Sequence, residues 1–105
     1  MLERIKSFFR SIFQKKYHIK FANNIPELLE KRVVYVIDEQ TKWVMVFSCP
    51  CGCEDKIHLN LLEEVSPKWA YTISRRKVIG ITPSVNRVRG CKSHFWLRNG
   101  KVHFV

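Results

Sequence analysis

The chain lacks any apolar run long enough to cross a bilayer: its longest, VVYVI (33–37) and WVMVF (43–47), fall far short of the ~18 residues that a spanning helix requires. It also lacks the pattern of a secretory leader, because Lys6 and Arg10 interrupt the apolar residues near the N-terminus and no small-residue cleavage site follows. The expected compartment is therefore a reducing cytoplasm, with peripheral membrane association through residues 1–16 as the alternative. In that setting clustered thiols point to metal before disulfide. Several hydrolase signatures are missing too. Ser84 has no G-x-S-x-G context, there is no H-E-x-x-H, and the H-x-E…P-C-x-x-C pattern of zinc deaminases is absent. No repeat, low-complexity tract or linker divides the chain.

Carboxylates are the next scarcity. The net charge is +10, and residues 74–105 hold eight basic side chains and not one acidic one. Such a segment carries a positive potential and attracts an anionic surface or polymer, unless it is simply a solvated face balanced by the mildly acidic middle of the chain. The residues concerned are Arg75, Arg76, Lys77, Arg87, Arg89, Lys92, Arg98 and Lys101, with Phe95 and Trp96 as candidate stacking surfaces.

What is present suits one small domain. Hydrophobic residues make up 46% of 105 residues, with three Trp, seven Phe and three Tyr, enough for one modest core that a metal staple would reinforce. In MLERIKSFFRSIFQKK, Leu2, Ile5, Phe8, Phe9, Ile12 and Phe13 recur at three- and four-residue spacing among basic residues, which predicts an amphipathic helix over 1–16. That helix either docks on the domain, lies in a membrane interface or fills a partner's groove. A second unit, 17–105, is expected to be mainly β.

Within that unit ELLEK (27–31) is compatible with a short helix, and VVYVI and WVMVF read as a hairpin around the polar DEQTK. KIHLNLL, KWAYTIS and KVIGITPSV are further strands, the last ended by Pro83. FWLR-NG-KVHF is a hairpin, since both central positions of a type I′ turn need positive φ and Asn-Gly supplies them. The fold class that follows is a small, metal-stapled antiparallel β domain with an N-terminal helix.

The staple is read from the cysteines. Cys49, Cys51 and Cys53 alternate at the end of one strand, while Cys91 and His94, spaced C-x-x-H, precede the last hairpin. Two turns that each offer ligands are how small zinc domains are built. Cys91 and His94 are both expected to bind, completed by two of the first three cysteines; Cys49 and Cys51 are preferred, with Cys53 as the alternate. Zinc is the expected ion, an iron–sulfur cluster the alternative, and free thiols the third case. A filled Cys₃His zinc has no open position and would be structural. His58 and His103 alternate with apolar residues and are expected to face water, and His18 stands alone in YHIKF.

Two resemblances attach to these residues. CPCG together with CKSHFWLRNGKVHF resembles the two cluster-binding loops of Rieske domains, with Cys49 and Cys51 in the C-x-H places and Cys91 and His94 in the C-x-x-H places. Cys51 stands where that family has a histidine, which suits zinc better than a [2Fe–2S] cluster. Over roughly residues 25–105 the chain is also similar to an uncharacterised bacterial domain-of-unknown-function family that carries CPCGC, a central Trp such as Trp69, Pro83-Ser84 and CKSHFW before a Gly turn. Some of its members are encoded beside ubiquitin-like conjugation genes linked to antiphage defence. That resemblance implies an accessory role.

Three functions are thus expected, in this order. The first is a non-enzymatic zinc-binding adaptor with a protein partner, the second a nucleic-acid-binding module that uses the basic C-terminal third, and the third a Rieske-like iron–sulfur protein or an enzyme.

Overall fold

A computed structural model of the chain describes residues 16–38, 40–88 and 90–105. The helix expected over 1–16 lies outside these residues, apart from Lys16, and so does Arg89. The described chain is mainly β, as the alternation of apolar and polar residues predicts. Eight strands form two four-stranded sheets. The first holds β1 (His18–Ala22), β2 (Val33–Ile37), β3 (Val44–Ser48) and β4 (Lys56–Asn60), side by side in that order. The second holds β5 (Ala70–Ile73), β6 (Ile79–Asn86), β7 (His94–Arg98) and β8 (Lys101–Phe104), also in order. All neighbours are antiparallel except β1 and β2, which run parallel. Among the described residues no helix is long and apolar enough to cross a membrane.

Alternation decides which face of each strand meets the core. Val34, Val36, Met45, Phe47, Ile57 and Leu59 from the first sheet pack with Ile79, Ile81, Val85, Phe95 and Leu97 from the second. Phe47 and Phe95 meet edge to face across this layer, with centroids 6.3 Å apart and planes at 83°, the geometry favoured by the ring quadrupole. β2 reads as a continuous apolar run because both its faces are buried. Its other face, Val33, Tyr35 and Ile37, joins Val44 and Val46 in a second cluster against Ala22 and Leu29.

The Asn99-Gly100 turn forms as its chemistry predicts, with φ of 50° and 77°. It also laces the two sheets together. Gly100 N–H donates to Ile79 O at 2.7 Å, Tyr17 N–H donates to Gly100 O at 2.8 Å, and His18 bridges Val78. A Cβ at Gly100 would lie 2.6 Å from Val78 Cγ1 and 2.8 Å from Lys16 Cβ, so the close approach requires glycine.

Two sequence expectations change, and YHIKF, whose own pattern predicts no element, contains the strand β1, which pairs parallel with β2 and buries Ile19 in the core. ELLEK is not helical; it belongs to the connection between β1 and β2. Pro83 does not end a strand either. β6 continues to Asn86, because the missing N–H falls at an irregularity of the ladder between Ile81 and Val85, where no regular pairing needs it.

Candidate metal centre and a serine–histidine pair

The β3–β4 loop and the β6–β7 loop meet at one end of the molecule and bring four thiols together. The Sγ atoms of Cys49, Cys51, Cys53 and Cys91 all lie within 4.8 Å of one another, with Cys49–Cys51 at 3.4 Å and Cys49–Cys91 at 3.6 Å. The first loop is shaped by Cys49 N–H donating to Asp55 O at 2.8 Å and by Gly52 at φ 96°, where an L side chain would be strained. Arg87 N–H donating to Ser93 O at 2.8 Å closes the second. Cys49 is buried and the other three thiols are exposed.

A group of four thiolates is strongly negative, and its surroundings compensate. The Arg87 guanidinium reaches Cys91 Sγ at 3.4 Å, Cys53 Sγ at 3.6 Å and Asp55 Oδ2 at 3.4 Å. The Cys53 amide donates to Cys51 Sγ at 3.4 Å. Ser93 Oγ lies 3.2 Å from Cys91 Sγ and 3.6 Å from Cys49 Sγ.

The thiols hold their protons unequally. The Ser93 hydroxyl, and then its amide, bring Cys91 down to about 6. Burial raises Cys49, but the Cys51 amide, the Ser93 hydroxyl and Arg87 outweigh it and lower the thiol. The Cys53 amide lowers Cys51, yet hydrogen bonding with the Cys53, Cys91 and Cys49 sulfurs wins and pushes it up to about 12. Such a set loses its protons together only when a cation replaces them. Four sulfurs at these separations can hold a metal ion.

The cysteines expected at the metal, Cys49, Cys51 and Cys91, are therefore together, and Cys53 stands with them. His94 is elsewhere. Its Nε2 lies 2.8 Å from Ser84 Oγ. Strand alternation explains the difference: Phe95 and Leu97 point into the core, Ser93 shares their side and reaches the thiols, and His94 projects from the opposite face.

That face is where the β6 irregularity matters. Four residue steps on β6, Ile81 to Val85, stand opposite two on β7, Leu97 to Phe95. The extra length bulges the strand and re-aims its side chains. Asn86 pairs with His94, so Ser84, two residues earlier on the same face, sits diagonally across from the imidazole. Trp69 steadies the position: its Nε1–H donates to Ser84 O at 3.3 Å, and its own N–H donates to Asn60 O at 2.9 Å. Ser84 and His94 are both half-buried, which leaves them reachable by a substrate. When Nε2 carries no proton it accepts from the serine hydroxyl, the arrangement that activates a nucleophile. Sequence reading missed this pair. The available signals were Pro83-Ser84 and CKSHFW, whose association depends on the β6–β7 register.

The basic residues expected to form one surface are spread over several places. Arg75, Arg76 and Lys77 form an exposed 3₁₀ turn before β6. Arg87 serves the thiols, while Arg98 stacks on Trp96 with its guanidinium carbon 4.3 Å from the ring centroid. Lys92 is exposed in the β6–β7 loop, and Lys101 opens β8. His58 and His103 are exposed on their strands.

No curated protein and no solved structure matches the chain significantly. The profile of one protein family does match, over residues 21–105, which is everything after Lys20. That match covers both turns that supply thiols and the strands that bear Ser84 and His94. The chain belongs to the family described as "Bacterial ubiquitination-like system serine protease (BubE)".

Proposed function

We propose that this chain is a serine-dependent hydrolase of a bacterial ubiquitin-like conjugation system, with Ser84 as nucleophile, His94 as general base and the four cysteines as a structural zinc site. The observation that carries the reading is the 2.8 Å contact between Ser84 Oγ and His94 Nε2, in a chain whose family is described as a serine protease. The missing G-x-S-x-G pattern argues only against the strand-to-helix elbow of α/β-hydrolases, because triads and dyads are recognised by geometry and recur on unrelated folds. A serine aimed by a bulge in a β-sheet needs no such motif.

The reaction follows from the pair. Ser84 Oγ attacks the carbonyl carbon of a peptide or isopeptide bond while His94 Nε2 takes its proton. The tetrahedral adduct collapses, the C–N bond breaks, and the imidazolium gives that proton to the departing amine. Water then attacks the resulting acyl-serine ester with His94 again as base. This releases a carboxylate and restores the hydroxyl.

Zinc fits the four thiols on geometry and chemistry. Zn–S bonds of ~2.3 Å at tetrahedral angles place sulfurs roughly 3.8 Å apart, close to the contacts present here. Iron–sulfur ligation of the Rieske type needs two imidazoles, and the cluster consists of thiols. Zinc with four thiolates has no open position, so its contribution is to hold the β3–β4 and β6–β7 loops and, through Ser93, the start of the strand that bears His94.

The test is a fluorophosphonate probe, together with cleavage of a ubiquitin-like protein from the same kind of operon extended at its C-terminus, using the full chain. Ser84 is expected to be the labelled residue. Ser84→Ala and His94→Ala abolish labelling and lower cleavage by about 10³-fold or more while zinc content stays at one per chain. Wild-type cleavage by Ser84→Ala would overturn Ser84 as the nucleophile, and absence of both labelling and cleavage with the unmodified chain would return it to a non-enzymatic adaptor.

A further inference from the structure

A groove of about 530 Å³ opens where three segments converge: the start of β1, the turn before β2, and the 3₁₀ turn before β6. Its charged lining is Lys16, Lys31, Arg32, Arg75 and Arg76, joined by His18, and among the described residues no carboxylate contributes to it. Among the described residues its apolar lining is Val33 and Val78, both themselves buried, and the His18 imidazole is the one ring that lines the space. None of the five cations has an ion-pair partner among the described residues. Glu30, the nearest carboxylate in sequence, is engaged by Lys20 at 2.9 Å.

The groove is built on fixed backbone. His18 N–H donates to Arg32 O at 3.0 Å, and His18 also bridges Val78, so all three segments are tied to one another. Two of the lining arginines occupy the left-handed region, Arg32 at φ 57° and Arg76 at φ 64°, a conformation uncommon for long side chains. Five like charges gathered on a rigid frame repel one another, and an anion of matching charge relieves that repulsion.

We propose that this groove is a binding site for phosphate-rich anions, held through their phosphates alone. Arginine forks match phosphate oxygens in pairs, lysines add point charge, and the volume is that of a small-ligand site. Apart from the His18 imidazole the described lining offers a nucleobase no ring and no open apolar surface, whereas all five cations can meet phosphate oxygens. The site therefore reads oligophosphate, whether from a nucleoside triphosphate or from a nucleic-acid backbone.

Titration calorimetry of the full chain at ~50 mM salt tests this with inorganic tripolyphosphate, ATP, duplex DNA and hexaglutamate. Tripolyphosphate and ATP are expected to bind with affinities within about twofold of each other, and hexaglutamate much more weakly. The double variant Arg32→Asn/Arg76→Asn removes two charges but keeps residues that tolerate positive φ, and should weaken tripolyphosphate at least about tenfold. Arg98→Gln, outside the groove, should leave it unchanged. If DNA also binds and the double variant lowers its salt slope by about 2, the phosphates come from nucleic acid; if only tripolyphosphate and ATP bind, they come from a free nucleotide. Should circular dichroism show the double variant unfolded, Arg75→Gln on the exposed turn serves in its place, with a loss of about threefold or more expected. No binding of tripolyphosphate, unchanged binding by the variants, or hexaglutamate bound as tightly as tripolyphosphate would each overturn the proposal.

Discussion

Ser93 and His94 are successive residues at the head of β7, yet they serve opposite sides of the second sheet. Ser93 faces inward, where its hydroxyl touches two thiols, while His94 faces outward to Ser84. The inward site is assembled from two loops and is dense with sulfur. The outward one is a diagonal pair on neighbouring strands, made by a bulge. The thiol site thus rests on which loops bring sulfurs together, an arrangement that can hold a cation, and the serine–histidine pair on which residue of one strand stands opposite which of the next. A change at one site should leave the other intact unless it passes through the backbone they share.

The sharpest way to break the comparison is to remove a thiol. Cys91→Ser should abolish stoichiometric zinc, measured by elemental analysis, and the metal-linked part of stability with it, since structural zinc sites are worth about 10 kcal/mol of apparent binding free energy or more. His94→Ala should leave the metal in place, whereas metal loss in that variant would make the imidazole a ligand after all. Next in size is the core that both sites share: Phe47→Ala should cost about 3–5 kcal/mol in denaturant unfolding, because it empties the ring pair between the sheets. Arg87→Lys removes the forked donor while keeping its charge. It should weaken zinc by about 10–100-fold in a chelator competition and leave fluorophosphonate labelling of Ser84 unchanged in metal-saturated protein.

The smallest effect is one of pH. A lowered pKa means that Cys91 is a thiolate above about pH 6, while Cys51 keeps its proton up to about 12. In zinc-stripped protein that stays folded, alkylation of Cys91 should rise as pH passes through about 6, and Cys51 should react last. Uniform reaction near pH ~8.5 at all four cysteines would mean that the loops have lost their shape without metal.

The thiol cluster was largely legible before any fold was known, because alternate cysteines and a distant fourth are chemically unusual and, in the reducing compartment that the sequence leads one to expect, point to metal before disulfide. The choice among them was not legible. C-x-x-H spacing admits both residues only if the turn presents both to one side, and here β7 begins early enough that alternation sends His94 away. The strands β2 to β8 were readable from their apolar patterns and from the Asn-Gly turn, whereas β1 has a weaker pattern of its own and owes its conformation to a parallel partner. Pro83 misled for a related reason, since its effect depends on whether the ladder needs that N–H.

By itself, then, the sequence determined the class of the fold, the presence of a thiol centre and the basic character of the chain's last third, all of which follow from local composition and period-two patterning. Only the tertiary structure decided that Cys53 joins the thiols, that Ser84 meets His94, and that Lys16, Lys31 and Arg32 line the same groove as Arg75 and Arg76. Each of these depends on register and on which loops share an end of the sandwich. Register is set by many weak side-chain contacts acting together across the sheets, and no short stretch of residues carries that information.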